Sequence, residues 1–317
     1  MPTNWTTQNI PSQAGRTIVV TGTGGLGFED ARALAEAGGD VIIAGRNPAK
    51  GAEAVARIKQ AVPGAVVTFE PVDLGNLTSI AAFGRRLGAS RERVDVLINN
   101  AGVMTPPERK ITADGFELQF GTNYLGHFAL TAHLLPLLTR AANPRVVTLS
   151  SIAIRGTGTA INFDDLQVER QYQPMPAYSQ SKLACLMFAF ELQRRSDAAG
   201  LGITSIAAHP GVSRTDLLHN APGRHSAQGL VRSLMWFLFQ PAAQGALPTL
   251  FAATSPDAKP GGYYGPNKLA ETRGYPTEAT IPPQALEIHT AKRLWEVSEE
   301  LTKVRFALDA PVASRDV

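Results

Sequence analysis

The chain of 317 residues contains one cysteine, Cys185, and six histidines. A single thiol excludes an internal disulfide framework and a multi-cysteine zinc site. A reducing, cytoplasmic setting is the simplest expectation. No His/Asp/Glu cluster has metal-ligand spacing, so no metal is expected. Excess charge is also scarce: 30 Lys and Arg against 27 Asp and Glu leave a net charge of +3. The basic residues are scattered, apart from pairs such as Arg85-Arg86 and Arg194-Arg195. Without a basic stripe, a nucleic-acid partner is not expected. Long apolar runs are missing as well. Spanning a bilayer takes about 20 apolar residues, and the nearest candidate, Leu230–Phe239, is short and interrupted by Arg232. The polar start, Met1 to Ser12, shows no signal-peptide pattern.

What is present is a regular alternation. Strand-like apolar runs occur at Thr17–Thr21, Val41–Ala44, Val66–Glu70, Val94–Ile98, Arg145–Leu149 and Ile203–Ala207. Helical patterns at Leu26–Ala37, Pro48–Ala61, Leu77–Leu87, Ala113–Leu138 and Ala177–Ser196 separate them. Short strands alternating with helices predict an α/β fold, a doubly wound Rossmann-type parallel sheet with helices on both faces. No linker or repeat divides the chain, so one domain is expected. Its core spans about 15–265, a lid about 212–240, and a C-terminal helical extension about 266–317. Within the later part, 241–253 reads as a helix, 256–267 is rich in Pro and Gly, and 282–303 forms a final amphipathic helix.

Several motifs carry chemistry. Gly22-Thr23-Gly24-Gly25-Leu26-Gly27 joins the first strand to the first helix, where main-chain N–H groups can hold a pyrophosphate. Tyr178 and Lys182 are four residues apart on a helix, hence on one face. An ammonium beside a phenol favours the phenolate, which suits the tyrosine to proton transfer with an alcohol oxygen. The strand ends at Ser150-Ser151 and Asn99-Asn100-Ala101-Gly102 lie where open parallel sheets bind ligands. Asn123 is a polar residue among Phe120, Tyr124, Leu125 and Phe128. Pro210-Gly211-Val212, followed by Thr215, comes after the sixth strand.

In this order, and with Asp73 in "PVDL", these elements resemble the short-chain dehydrogenases/reductases over roughly residues 15–265. "NYLGHFALT", "YSQSKLA" and "RLWEVSEEL" are similar to the retinol-dehydrogenase and WW-domain-oxidoreductase branch. The resemblance implies an oxidoreductase in which Tyr178 is the general acid/base. Lys182 would hold the nicotinamide ribose and favour the Tyr178 phenolate. Ser151 would position the substrate oxygen, and Asn123 would anchor a water leading from Lys182 to solvent. Asp73, with Leu74 beside it, would meet the adenine end. Asn99, Ala101 and Gly102 would lie along the cofactor, and Thr215 with Pro210, Gly211 and Val212 would hold the nicotinamide carboxamide.

The second strand ends Gly45-Arg46, with Gly where an acid would bond the ribose 2′-hydroxyl of NAD. Arg46 offers a planar fork to a 2′-phosphate, so NADP(H) is expected rather than NAD(H). Candidate wall residues Met104, Leu217, Leu218, Met235, Trp236 and Phe239 are apolar, which suits a bulky lipophilic alcohol or carbonyl. A lid packed over the substrate is preferred over a membrane-surface contact for 234–239. His209 and His127 read as structural, and Cys185 as a buried thiol. A homodimer through helices 113–138 and 177–196 is an open expectation, as is cover of that face by the C-terminal segment. The glycine loop is one residue shorter than the family's usual form. That motivates an alternative, a catalytically weak or inactive nucleotide-binding regulatory protein. Gly22, Gly24 and Gly25 can absorb the change, so cofactor binding is expected to survive in weakened or altered form, and an Ala inserted after Gly22 to strengthen it.

Overall fold

The computed structural model describes residues 4–213 and 240–308. Six strands form close to where the sequence places them: β1 (Thr17–Thr21), β2 (Asp40–Gly45), β3 (Val67–Pro71), β4 (Val96–Asn99), β5 (Arg145–Leu149) and β6 (Thr204–Ala208). All pair in parallel with their neighbours. β1, β4, β5 and β6 are buried along almost their whole length. Parallel strands covered on both faces read as continuous apolar runs for this reason.

Two features were not visible in the Pro- and Gly-rich tail. β7 (Tyr263–Lys268) adds in parallel to β6, and β8 (Arg273–Glu278) pairs antiparallel to β7. The sheet therefore has eight strands in the order β3-β2-β1-β4-β5-β6-β7-β8. The expected helical extension begins as a hairpin, not a helix. The winding direction reverses between β1 and β4, which opens a crevice at the carboxyl ends of the strands.

One face of the sheet carries α1 (Gly25–Glu36), α2 (Pro48–Ala61) and α7 (Leu247–Thr254), the last preceded by the single turn α6 (Ala242–Gly245). The other carries α3 (Leu77–Ser90), α4 (Gly126–Leu138) and α5 (Pro174–Ala199). α2 and α3 start on Asn47 and Asn76, whose side chains accept from Lys50 N (3.1 Å) and Ser79 N (3.0 Å). The single helix expected over 113–138 is interrupted. Gly115 turns the chain at φ +85, and a π-helical turn, Phe120–Leu125, precedes α4. The Glu117 carboxylate caps that turn, accepting from Gln119 N (3.0 Å) and Phe120 N (2.7 Å).

α8 (Ile288–Thr302) lies on α5. Its Trp295 stacks on Phe188 at 5.7 Å, meets Phe128 edge-on at 5.1 Å, and lies under the Arg195 guanidinium at 4.4 Å. The chain's own C-terminal helix thus covers the face through which pairing was expected. Among the described residues no helix is long and apolar enough to cross a membrane.

Candidate active site

A cavity of about 670 Å³ runs along the crevice. At one end it is lined by Gly22, Thr23, Gly24, Gly25 and Leu26. Gly22 and Gly25 have φ of +105 and +53, which side chains rarely tolerate. Gly22 N donates to Ala44 O (2.7 Å), and α1 starts at Gly25. The shortened loop therefore closes on β2 and still points a helix N-terminus into the cavity. Gly27 does not line the cavity. It lets the helix pack on the loop, since a Cβ there would come within 2.5 Å of Asn100 Nδ2 and 2.8 Å of Gly22 O.

The end expected to take the adenine is lined by Arg46, Lys50, Glu53, Arg57, Asp73 and Leu74. No acid stands at the end of β2. A Cβ on Gly45 would lie 2.9 Å from Thr23 Cγ2, so the short loop itself occupies the space an acidic side chain would need. Asp73 Oδ1 accepts from Gly75 N (2.9 Å). Lys50 was not singled out in the sequence. Its signal was available as the third residue of a helix capped beside Arg46.

At the centre, Ala101 and Gly102 line the cavity, but Asn99 does not. β4 ends with Asn99 turned into the core, 1% exposed, donating to Thr131 Oγ1 (3.1 Å). The successive residues of a strand face opposite ways, and Asn100 takes the cavity position instead. Its Nδ2 donates to Thr21 O (2.7 Å), and Asn100 N and Ala101 N donate to Thr21 Oγ1 (both 2.9 Å). The Thr21 hydroxyl also meets His127 Nε2 at 2.9 Å, while His127 Nδ1 lies 2.8 Å from Asn123 O. A carbonyl only accepts, so Nδ1 carries the proton and Nε2 accepts from Thr21. Burial lowers the His127 pKa to about 4, in keeping with a neutral ring.

The other end holds Ser151, Tyr178 and Lys182. α5 begins at Pro174, which suits the first helical position, and puts Tyr178 and Lys182 one turn apart. Lys182 Nζ donates to Leu149 O (2.9 Å), its one hydrogen-bond acceptor among the described residues. Its remaining donors are available to the cavity. The serine pair divides its duties. Ser150 Oγ donates to Lys182 O (2.8 Å) and is buried, whereas Ser151 caps a 3-10 turn, Ile152–Arg155, at the cavity wall.

Asn123 does not line the cavity. Its Oδ1 accepts from Val103 N (2.7 Å), and its Nδ2 donates to Val103 O (2.9 Å) and Ser181 Oγ (3.0 Å). Its carbonyl accepts from His127 and from Cys185 Sγ (3.2 Å). These bonds engage the groups expected to hold a water. They strap the wall segment at Val103 to α5. Gly102 packs closely on this strap, since a Cβ there would lie 3.1 Å from Asn123 Oδ1 and press it by a few tenths of an ångström. Cys185 is buried, which pushes its thiol pKa up and makes it a poor nucleophile.

Pro210, Gly211 and Val212 close this end, and Met104, Ile152 and Met175 add apolar wall. Thr215 and the wall candidates Leu217, Leu218, Met235, Trp236 and Phe239 lie outside the described residues. Among the described residues no group of His, Cys, Asp and Glu side chains could hold a metal ion.

A strand–glycine-loop–helix unit at the switch point and a Tyr-Lys pair at the opposite end of one cleft define a nicotinamide-dependent oxidoreductase architecture. The chain belongs to the short chain dehydrogenase family, whose model matches residues 16–225. It is 41% identical over 262 residues to human polyprenol dehydrogenase, covering 80% of this chain and 78% of the relative. It is 39% identical over 300 residues to mouse retinol dehydrogenase 12, covering 92% and 88%. Among solved structures, it is similar to an uncharacterised Mycobacterium paratuberculosis protein. That likeness has 39% identity and a TM-score of 0.79, covering 96% of this chain and 99% of that one. The RhlG/NADP complex of Pseudomonas aeruginosa shares 25% identity with a TM-score of 0.63, covering 80% and 94%.

Proposed function

We propose that this protein is an NADP(H)-dependent oxidoreductase that interconverts an alcohol with its aldehyde or ketone on an extended apolar substrate. The observation that carries this reading is the single cavity joining the glycine loop to Ser151, Tyr178 and Lys182. The residues present fit the cofactor. Gly22 and Gly25 leave a main-chain cradle at a helix N-terminus, and Lys182 has donors to spare for ribose hydroxyls. NADP(H) would supply or accept the hydride. In the reducing direction, the Tyr178 hydroxyl gives its proton to the carbonyl oxygen as that oxygen gains charge. In the oxidising direction, it takes the proton back. Ser151 donates a hydrogen bond to the same oxygen, and the Lys182 ammonium stabilises negative charge on the phenol oxygen.

The preference for NADP(H) rests on Arg46 and Lys50, two cations beside a strand end that carries Gly45. The substrate class rests on the apolar wall of Met104, Ile152 and Met175. Relatives named for retinol and polyprenol, both long apolar alcohols, support it. The test is turnover of long-chain and isoprenoid aldehydes with NADPH and with NADH. NADPH should be favoured, and Arg46→Ala should raise its KM about tenfold, the equivalent of one charge-assisted hydrogen bond, with NADH little affected. Equal use of the two cofactors by wild type would overturn the cofactor assignment. Turnover of neither would overturn the function.

A further inference from the structure

The β7–β8 hairpin carries an unusual turn. Leu269, Ala270 and Glu271 are consecutive non-glycine residues with φ of +49, +52 and +65. Left-handed residues in series are strained, and they persist only where surrounding contacts hold them. Here the contacts converge on the Glu271 side chain. Oε1 accepts from Thr280 N (3.0 Å) and Thr280 Oγ1 (2.7 Å). Oε2 accepts from Arg155 Nη2 and from His209 Nε2 (2.9 Å). Arg155 Nη1 also reaches Ala270 O (3.4 Å). Burial alone would raise the Glu271 pKa, but these donors hold it down at about 2, so the group is a carboxylate.

Both inner partners lie in segments whose neighbouring residues, Ser151–Ala153 and Pro210–Val212, line the cavity. Arg155 ends the 3-10 turn that Ser151 caps. His209 is buried at the end of β6, where its Nδ1 accepts from Gly211 N (3.2 Å) and its ring packs on Tyr263 at 5.3 Å. Because Nδ1 accepts, Nε2 carries the proton, and the bond to Glu271 fixes that tautomer. Gly211 lies directly against the turn. A Cβ there would collide with the main chain of Glu271 and Thr272, and Val212 N donates to Thr272 O (2.8 Å).

We propose that Glu271 is a positioning residue for the reacting end of the cleft. One carboxylate fastens the Ser151 turn and the Pro210–Gly211 turn to each other across the sheet end. It sets the width of the space between Ser151 and the Pro-Gly wall. The strained hairpin turn is the device that delivers it. The inference rests on the oxidoreductase reading above.

The test compares steady-state kinetics, NADPH binding and thermal stability in wild type, Glu271→Ala, Glu271→Gln, Arg155→Met and Thr280→Val. Glu271→Ala should lower kcat at least about tenfold, since misplacing reacting groups by roughly 1 Å costs up to about a hundredfold. NADPH affinity, set mainly at the far end, should change far less. Glu271→Gln keeps an acceptor oxygen for His209 and should recover most of kcat. Arg155→Met cuts only the tie to the Ser151 turn, so it reports even where Glu271→Ala does not fold. It should lower kcat about fivefold, a smaller displacement on the same scale. Thr280→Val loosens the outer side of the carboxylate and should lower thermal stability while kcat holds. Unchanged kcat in Arg155→Met overturns the proposal. So does an equal kcat loss in Thr280→Val and Glu271→Ala, which would mean a merely structural role. The wild-type arm separates the two readings: no turnover there overturns the oxidoreductase assignment itself, and the positioning role with it.

Discussion

At the glycine loop the cleft is made of main chain, whereas at Ser151 and Tyr178 it is made of side chains drawn from distant segments. The first end needs Gly22 and Gly25 for their positive φ, Gly22 and Gly27 for lack of space, and Thr21 and Asn100 to lock the strand ends together. Everything essential lies within one strand–loop–helix unit plus the end of β4. The second end brings Ser151, Tyr178 and Lys182 to the cavity, and behind them a half-buried acid on the last hairpin, Glu271, ties Arg155 to His209. The main-chain end presents a shape and tolerates almost no added atom. The side-chain end presents charges and proton donors, so a group that touches substrate, such as the Tyr178 hydroxyl, can be removed while the ring that carries it still fills its place.

That contrast gives different failures for single substitutions. Tyr178→Phe is expected to have the largest effect. It deletes the proton donor and keeps the ring, so kcat should fall about a thousandfold, within the range of lost general acid/base groups. NADPH binding should stay within about twofold of wild type, because the hydroxyl is not part of the loop that would hold the phosphates. Fluorescence titration and single-turnover kinetics check the two halves. A parallel loss of binding and kcat would erase the distinction between the ends.

Gly27→Ala is the matching break at the other end. Its Cβ would press on Asn100 Nδ2, which is pinned to Thr21 O at 2.7 Å and cannot yield cheaply. Overpacking of this kind costs about 1–3 kcal/mol. Because the strain falls on the loop, NADPH affinity should drop at least about tenfold, with chemistry in the bound state less affected. Calorimetry and NADPH titration measure the pair.

The two ends were unequally legible in the sequence for the same reason. Gly22–Gly27, Tyr178 with Lys182, and Ser151 are local patterns, and the structure brings all of them but Gly27 to one cavity. Asn99 misled because the side chains of a strand alternate, and a motif of two asparagines does not say which one faces the cleft. Asn123 was legible as a polar residue needing partners, but not that Val103 and Ser181 were those partners. The hairpin was hidden because "GGYYGPNKLAETRGYP" reads as punctuation, and strands built on β6's edge need no long apolar run. Glu271 had no local signal at all. Its inner partners, Arg155 and His209, are 116 and 62 positions away in the chain.

A finer test bears on the shortened loop. Gly45→Asp supplies the acid that NAD sites use, yet Thr23 Cγ2 stands where the new side chain must begin. The single substitution should weaken NADPH at least about tenfold by placing like charges together, without creating useful NADH binding. Adding Thr23→Ala should let the carboxylate settle and improve NADH relative to the single variant. If Gly45→Asp alone binds NADH well, the loop does not restrict the cofactor, and the main-chain end is more tolerant than its geometry implies.

The smallest effect concerns Asp30, on α1 behind the loop. It is fully buried, and neither carboxyl oxygen has a hydrogen-bond partner among the described residues. Burial, reinforced by Glu29, raises its pKa well above the ordinary 3.8. The folded chain therefore holds a proton that the unfolded chain releases near its ordinary value. Stability from the protonated form is fully present below about pH 3.8 and declines as pH rises toward the raised folded pKa. Asp30→Asn keeps the volume and removes the titration. It should raise stability by about 1–2 kcal/mol at pH 8, the scale of one unsatisfied buried group, and the gain should shrink as pH falls toward 4. Denaturant unfolding at several pH values measures this. A gain that is independent of pH would mean Asp30 keeps the same charge folded and unfolded. A pH-dependent gain with unchanged NADPH affinity would show that the main-chain end takes its precision from the loop itself, with the helix behind it free to change.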